Sequence, residues 1–348
     1  MPEKKSTESY DKLDISLRSG KAGSFYIFHG EESYLRDRSL EALRKLLCPG
    51  GLDGFDYKRI DGREFSVDAF EGAIETLPAF AERTLIEVHD FDIFKAGEDS
   101  KRSLGRIFSS LPDYVCVVLI FDVIAYKPDS GAALNQAILK HAEIVEFVVQ
   151  EQTRLVRWIT KHYADAGKRI SASDAAYLIF ITGGLMSSMG GEIEKSAAYA
   201  MSETVTRADI DMVVTPVLNA AAYKLTDALA RREYGAAMKI LDDLLRMKEE
   251  PHKILFSISL NMRQLLAARI CVENNLDRNA LKKMSSIRYE FQARTLIDTA
   301  RKVTLADCRA AVLCCAGTAF DINSSPEPEA RLTELVARLA FNYKGNVL

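Results

Sequence analysis

The sequence predicts two kinds of structure in one chain, a parallel α/β domain followed by an all-helical region. Short apolar segments alternate with amphipathic helical segments over the first 150 residues. One of them, residues 114–121, is apolar at almost every position, which is typical of a strand buried on both faces of a parallel sheet. Beyond residue 150 only helical periodicity is found, and no further strand is predicted. The predicted fold class is therefore α/β plus all-α.

Five strands and four helices are predicted in the first part. The strands are compact apolar runs ended by glycine or polar residues, at 24–29, 55–60, 84–89, 114–121 and 144–149. The helices repeat apolar residues at steps of three and four, at 11–19, 33–47, 65–77 and 132–140. Ser33 is the predicted N-cap of the second helix, and Pro78 ends the third because proline disfavours helical geometry in the residue before it.

The helical region is predicted to form two domains. Its first helices are 153–166, 171–182 and 191–201, followed by a short helix capped at 206–209. The later helices are 218–232, 234–247, 251–274, 290–302, 304–316 and 329–343. The predicted domains are thus an α/β domain at 1–150, a small helical domain at 151–213 and a C-terminal helical domain at 214–348.

Composition excludes several functional classes. The 348 residues are 48% hydrophobic and 27% charged, as in ordinary soluble proteins. No apolar run approaches the ~20 residues that span a bilayer, so a cytoplasmic location is expected. Six cysteines show no CxxC spacing, which argues against a zinc site or a disulfide framework. The net charge of the chain is −3. Residues 214–348 contain 20 basic and 15 acidic residues, and this modest basic excess is weak evidence for nucleic acid binding.

The turn after the first strand lacks the residues that bind nucleotide phosphates. A P-loop needs a second glycine, a lysine and a hydroxyl residue after the first glycine. Counting from Gly30, those three positions hold Leu35, Arg36 and Asp37, and two carboxylates, Glu31 and Glu32, stand where phosphates would lie. We expect no nucleotide hydrolysis, no cofactor, no metal and no catalytic residue in this chain.

The turn between the third helix and third strand, residues 76–83, carries an aromatic residue where a polar one is usual. Phe80 could fold back onto the protein core, since single apolar residues at turns are common. It could instead insert into a pocket of a partner protein, as interface anchors do. The pattern of residues alone leaves both interpretations open.

Several segments together resemble the delta subunit family of the bacterial DNA polymerase III clamp loader. They are distributed in family order over nearly the whole chain, and only the ordered set is specific. The matching segments are FYIFHGEESYL at 25–35, LPAFAER at 77–83, GEIEK at 191–195, LTDAL at 225–229, LDDLL at 241–245, PHKIL at 251–255 and RQLL at 263–266.

The resemblance implies an AAA+-like α/β domain with a degenerate nucleotide site, a small helical lid and a C-terminal helical collar. It implies that the chain binds the sliding clamp (beta) and opens the ring, or holds it open, for loading onto primed DNA. The implied partners are the ATP-binding gamma/tau subunits, delta prime and primed DNA, within a DNA-directed DNA polymerase holoenzyme. The implied clamp-binding residues are Leu77, Pro78, Ala79 and Phe80. Ala79 is smaller than the residue common there, and Leu77 is a candidate to supply the missing apolar surface.

Two alternatives remain. An ATP-binding AAA+ ATPase of the same fold would bind ATP tightly, which the absent P-loop argues against. A DNA-binding helical adaptor would bind DNA by itself with a steep salt dependence, whereas the clamp-loader interpretation predicts weak DNA binding by the isolated chain.

Overall fold

The computed structural model describes residues 7–49, 55–129, 132–287, 289–324 and 326–342. These residues divide into two compact units. The first unit is Met1–Glu151 together with Leu185–Ser187, and the second is Gln152–Gly184 together with Ser188–Leu348. The predicted three-domain division, with boundaries at 150 and 213, stays a prediction.

The first unit is an α/β sandwich. Its elements are α1 (Glu8–Arg18), β1 (Phe25–His29), α2 (Ser33–Leu47), β2 (Tyr57–Asp61), α3 (Val67–Glu75), β3 (Thr84–His89), α4 (Glu98–Ser109), β4 (Val115–Phe121), α5 (Ala133–His141) and β5 (Glu143–Glu146). The strands form one parallel sheet in the order β2-β3-β4-β1-β5. Parallel pairing places the carboxyl ends of all five strands at one edge of the sheet, here called the carboxyl edge, and their starts at the opposite, amino edge.

The sheet is covered on both faces, as its apolar strands require. All seven residues of β4 are buried. On one face, Phe25 and Ile27 of β1 join an apolar cluster with residues of α3, α4 and α5. On the other face, Tyr26 and Phe28 are fully buried, and α2 contributes the buried residue Leu43. The predicted α/β class of this part is confirmed.

The second unit is almost entirely helical. Its elements are α6 (Gln152–Asp165), β6 (Arg169–Ile170), α7 (Ala172–Thr182), α8 (Met186–Tyr199), β7 (Thr204–Val205), α9 (Arg207–Val213), α10 (Leu218–Ala230), α11 (Tyr234–Arg246), α12 (Pro251–Glu273), α13 (Arg278–Ser285), α14 (Glu290–Ala300), α15 (Leu305–Ser324) and α16 (Pro328–Asn342). The first two residues of α8, Met186 and Ser187, belong to the first unit. The helices α10 to α16 share one apolar core. The helix α12 packs against α10, α14 and α15, which explains why ten of its side chains are buried.

The structure corrects several sequence expectations. Glu32, not Ser33, is the N-cap residue of α2. The strands do not stop at residue 150, because β6 and β7 pair in parallel. The helices α4 and α13 were not predicted. The predicted end of the last helix, at 343, lies outside the described residues.

Among the described helices, α12 has the length and apolar composition that would allow it to cross a membrane. More than half of its apolar window is buried inside the second unit, as in the core helix of a globular domain. The helices α14 and α15 meet that test only as a pair, and they are bent by 114° where they join.

Candidate functional site

The turn between α3 and β3 lies at the amino edge of the sheet and projects apolar side chains into solvent. Phe80 is 84% exposed and Leu77 is 69% exposed. Ala79 is also exposed, and Pro78 is partly buried. Phe80 is therefore not a core residue, and the core interpretation of this aromatic is wrong. The four predicted site residues form one continuous surface segment, since they are consecutive in the chain.

The carboxylate of Asp56 holds this turn. It accepts hydrogen bonds from three consecutive backbone N–H groups, those of Ala79 at 2.5 Å, Phe80 at 2.7 Å and Ala81 at 2.7 Å. The side chain is buried. These hydrogen bonds, the bond from Ala79 first, lower the pKa of Asp56, because N–H groups favour the charged carboxylate. The turn thus has a fixed backbone although its side chains are exposed.

Arg83 fixes the other end of the turn. Its guanidinium donates to the backbone carbonyls of Ala22 and Gly23 at 2.9 Å and to the Ser24 hydroxyl at 3.0 Å. It also donates to the carbonyl of Val115 at 2.9 Å. These groups lie at the starts of β1 and β4, so one side chain connects the turn to the middle of the sheet. Arg83, the last residue of the segment LPAFAER, therefore has a structural role in this chain.

Asp56 was missed as a site residue because it lies 23 to 25 residues before its hydrogen-bond donors. In the sequence it falls within the predicted strand 55–60, where a side chain would be expected to point to one face of the sheet. The strand begins only at Tyr57, which leaves Phe55 and Asp56 outside the strand and beside the turn. Phe55 is 73% exposed.

Replacing Asp56 with Asn should loosen the turn. The Asn side chain has one uncharged acceptor oxygen, and an NH₂ group replaces the second oxygen of the carboxylate. At least one of the three N–H groups therefore loses its acceptor, and the remaining hydrogen bonds are weaker. We expect a lower melting temperature in Asp56→Asn. Because the folded-state pKa is depressed, the stabilisation is present above the ordinary aspartate pKa of about 3.9 and disappears as the pH falls through the folded value.

Thermal melts of both proteins between pH 7 and pH 3 test this expectation. The difference in melting temperature should be constant above pH 5 and shrink below pH 4. The control is Asp61→Asn. The Asp61 carboxylate accepts one exposed hydrogen bond, from the backbone N–H of Arg63 at 2.9 Å, so this substitution should change the melting temperature little. A difference that persists undiminished at pH 3 would contradict the role of the charged carboxylate.

A buried charged cluster is centred on Glu87 of β3, the strand that follows the turn. The fully buried carboxylate of Glu87 accepts from Arg44 Nε at 2.7 Å and Arg44 Nη2 at 2.5 Å. It also accepts from the Tyr57 hydroxyl at 3.1 Å, and His89 Nε2 lies 3.1 Å from it. Burial acts to raise the pKa of Glu87, but the hydrogen bonds from His89 and Arg44 outweigh it, and its pKa is lowered. The cluster connects α2, β2 and β3.

The opposite, carboxyl edge contains the turn where a nucleotide would bind in a P-loop protein. Gly30 has a φ of +117°, and a Cβ there would lie 2.3 Å from the backbone oxygen of Phe147. Glu32 is fully buried, and its Oε2 accepts from the backbone N–H of Met186 at 3.0 Å. Burial raises the pKa of Glu32. A carboxylate of the chain itself therefore lies at the start of α2, where phosphate oxygens would otherwise be expected.

Arg36 stands where the P-loop lysine would be counted, and it is committed to another partner. Its guanidinium is almost completely buried and lies 2.9 Å from Asp122 Oδ1. Nearby, Asp90 Oδ1 accepts from the backbone N–H groups of Asp122, Val123 and Ile124 at 2.9 to 3.0 Å. Asp90 is thus a turn residue. Internal ion pairs and turn hydrogen bonds fill this edge of the sheet.

The two edges of the sheet differ in chemistry. In the described part of the chain, no group of three or more His, Cys, Asp or Glu side chains is placed to hold a metal ion. At the amino edge, apolar side chains project from a rigid backbone frame. This arrangement suits insertion into an apolar pocket on another protein.

Comparisons with known proteins agree with the resemblance in the sequence. Residues 26–148 match the family model for "DNA polymerase III, delta subunit", and residues 219–337 match the model for the C-terminal domain of the same subunit. The chain is 24% identical to the DNA polymerase III subunit delta of Bacillus subtilis, over 92% of this chain and 93% of that protein. It is 22% identical to a probable DNA polymerase III subunit delta of Aquifex aeolicus, over 76% of each.

A solved structure, the Bacillus subtilis DNA clamp loader delta protein, is similar at 22% identity with a TM-score of 0.49, over 95% of this chain and 99% of that one. One family model matches within the first unit and the other within the second, and together they span well over half of the chain. The sequence-based recognition and the predicted function as a delta subunit are confirmed: this chain belongs to the DNA polymerase III delta subunit family.

Proposed function

We propose that this chain binds the sliding clamp through Leu77, Pro78, Ala79 and Phe80, and opens the ring or holds it open for loading onto primed DNA. The observation that carries the proposal is Phe80, an aromatic ring 84% exposed on a turn whose backbone is fixed by Asp56. An exposed ring on a rigid turn binds with less loss of conformational entropy than a ring on a flexible loop. Aromatic residues dominate interface energetics when a partner pocket covers them.

The test uses the purified full chain and the sliding clamp of the same organism. We expect a stable complex and a faster release of clamp from circular DNA in the presence of the chain, without ATP. A chain that binds the clamp weakly or not at all, under conditions where it is folded, would overturn the proposal.

Residues 214–348 are proposed to be the collar that assembles with the gamma/tau subunits and delta prime in the cytoplasm, around primed DNA. The support is a set of three large exposed apolar side chains on α12 and α15, here called the ridge: Phe256, Leu313 and Phe320. His252 Nε2 and Asn323 Oδ1 lie 3.0 Å apart, which brings one end of α12 beside α15. About one turn further along each helix lie Phe256, 62% exposed, and Phe320, 80% exposed. Leu313 extends the ridge along α15 and is 71% exposed.

Charged residues on this ridge should impair assembly and spare clamp binding. We expect Phe256→Asp/Phe320→Asp to weaken assembly with the partner ATPase subunits by about 30-fold or more, since losing an interface hot spot costs at least ~2 kcal/mol. Met247→Asp, at an exposed apolar position off the ridge, is the control. Native gel or mass photometry of mixed subunits measures the effect, and normal assembly of the double variant would contradict the collar assignment.

The chain by itself is proposed neither to bind nor to hydrolyse ATP. Glu32 and the Arg36–Asp122 ion pair occupy the edge where a P-loop would bind phosphates. The two carboxyl side chains that directly follow Gly30, Glu31 and Glu32, disfavour a bound phosphate there. Calorimetric titration with ATP and Mg²⁺ should give no measurable heat, with a purified gamma subunit as the positive control. A micromolar dissociation constant would contradict this expectation and restore the ATPase alternative.

A further inference from the structure

A second aromatic ring lies beside Phe80. The ring centroids of Phe55 and Phe80 are 6.3 Å apart, with their planes inclined by 47°. This separation is within the range of favourable aromatic pairs. Phe55 is 73% exposed and Phe80 is 84% exposed, so the contact covers only a small part of either ring. Most of both rings is available to a partner.

Phe55 contributes little to the protein core, because most of its side chain is exposed. Single exposed apolar residues are normal on protein surfaces. Here two large rings are adjacent and a third apolar side chain, Leu77, lies on the same turn and is 69% exposed. A contiguous apolar patch of this kind marks an interaction surface.

Phe55 and Phe80 are held on one frame. Phe55 directly precedes Asp56, and the carboxylate of Asp56 accepts from the N–H of Phe80 at 2.7 Å. The backbone of Asp56 is fixed in turn, since its carbonyl oxygen accepts from the N–H of Leu85 at 2.8 Å. The two backbone segments that carry the rings are therefore held side by side by hydrogen bonds of the folded chain, before any partner binds.

We propose that Phe55 is a second anchor of the same interface, and that the clamp covers the rings of Phe55 and Phe80 together in one apolar depression. This inference rests on the proposed clamp-binding function. Its partner is the sliding clamp because the patch is continuous with the proposed clamp-binding segment. Alternatively, Phe55 only supports the orientation of Phe80 and stays in solvent, or the patch pairs with a second copy of this chain.

The first experiment measures clamp affinity by biolayer interferometry. We expect Phe55→Ala to weaken binding by about 10-fold, which corresponds to ~1.4 kcal/mol. This is less than the effect expected for Phe80, because few residues of an interface carry most of its binding energy. Leu139→Ala, whose side chain is 61% exposed on α5, is the control and should leave affinity within twofold. Melting temperatures of both variants should match that of the unmutated chain.

The second experiment shows whether the clamp itself covers position 55. The sequence contains one tryptophan, Trp158, so Trp158→Phe/Phe55→Trp places a single reporter on the patch. Adding saturating clamp should shift its emission to shorter wavelength and reduce its quenching by acrylamide at least twofold, after subtraction of the clamp spectrum. A residue that only supports Phe80 would show unchanged quenching.

The outcomes separate this inference from the proposed function. If Phe80→Ala loses clamp binding while Phe55→Ala does not, or if the reporter introduced by Phe55→Trp remains fully quenchable in the complex, the second anchor is overturned and the clamp-binding function stands. If Phe55→Ala changes only the self-association of the chain in size-exclusion chromatography, the partner is a second copy and the inference is again overturned. If the unmutated chain does not bind the clamp, both are overturned.

Discussion

Arg44→Met should destabilise the first unit by about 3 kcal/mol or more. The substitution removes two hydrogen bonds of 2.5 and 2.7 Å and the positive charge that pairs with the fully buried Glu87. Removing one partner of a buried ion pair typically costs ~3–5 kcal/mol, because the remaining charge is left without compensation. Tyr57 and His89 retain their contacts to the carboxylate, which places the expected value at the lower end.

The measurement must report on the first unit alone. Trp158 belongs to the second unit, so its fluorescence is not a direct report on the first unit. Hydrogen exchange of the β3 and β4 amides, which lie in the interior of the sheet, gives the opening free energy of the first unit directly.

Two variants serve as controls. Lys45 forms an ion pair with Glu41, 2.6 Å from Nζ to Oε1, in which both side chains are largely exposed. Lys45→Met removes this pair and should lower the stability of the first unit by no more than ~0.5 kcal/mol. Arg44→Met/Glu87→Leu leaves no buried charge and should recover much of the lost stability. Equal effects of Arg44→Met and Lys45→Met would show that the buried cluster does not stabilise the unit.

The same cluster shows what the sequence could and could not predict. The strand Thr84–His89 was predicted with its observed ends, because β-branched and apolar residues in a short run specify a strand locally. The partner of Glu87 lies 43 residues away on α2. Helical spacing places Arg44 at the rim of the apolar face formed by Leu40, Leu43 and Leu47, and Lys45 on the opposite face. Nothing local in the sequence shows that the partner of Arg44 is a buried carboxylate.

The helix α4 was missed for a different reason. Leu104, Ile107 and Phe108 follow helical spacing and are all buried, so the signal was present. Only these three residues of the helix are apolar enough to be buried, and a short amphipathic pattern in a polar segment is easily taken for a loop. The strands β6 and β7 have two residues each, too few for any periodicity.

The sequence predicted which residues form the candidate site, but not which interactions hold them in place. The apolar turn 76–83 was predicted because Pro78 ends the preceding helix and Phe80 stands where a polar residue is usual. That the backbone of the turn is held by Asp56 depends on the packing of β2 beside β3. Pairing between strands sets this proximity, and a single sequence does not specify it.

Phe80→Ala should weaken clamp binding by about 30-fold or more without changing the melting temperature. Covering an exposed phenylalanine ring is worth roughly 2–3 kcal/mol, and each 1.4 kcal/mol corresponds to about one decade in affinity. Folding should be unaffected, because a ring that is 84% exposed contributes little to the core. The backbone N–H that bonds to Asp56 is retained in the variant.

The chain provides a control matched in residue type and exposure. Phe320, on α15 of the second unit, is 80% exposed, and Phe320→Ala should leave clamp affinity unchanged. Affinity and melting temperature measured on the same samples then separate the two roles of an aromatic residue. Lost affinity with unchanged melting identifies Phe80 as the anchor. Unchanged affinity would remove Phe80 from the interface and leave Leu77, 69% exposed on the same turn, as the residue to truncate next.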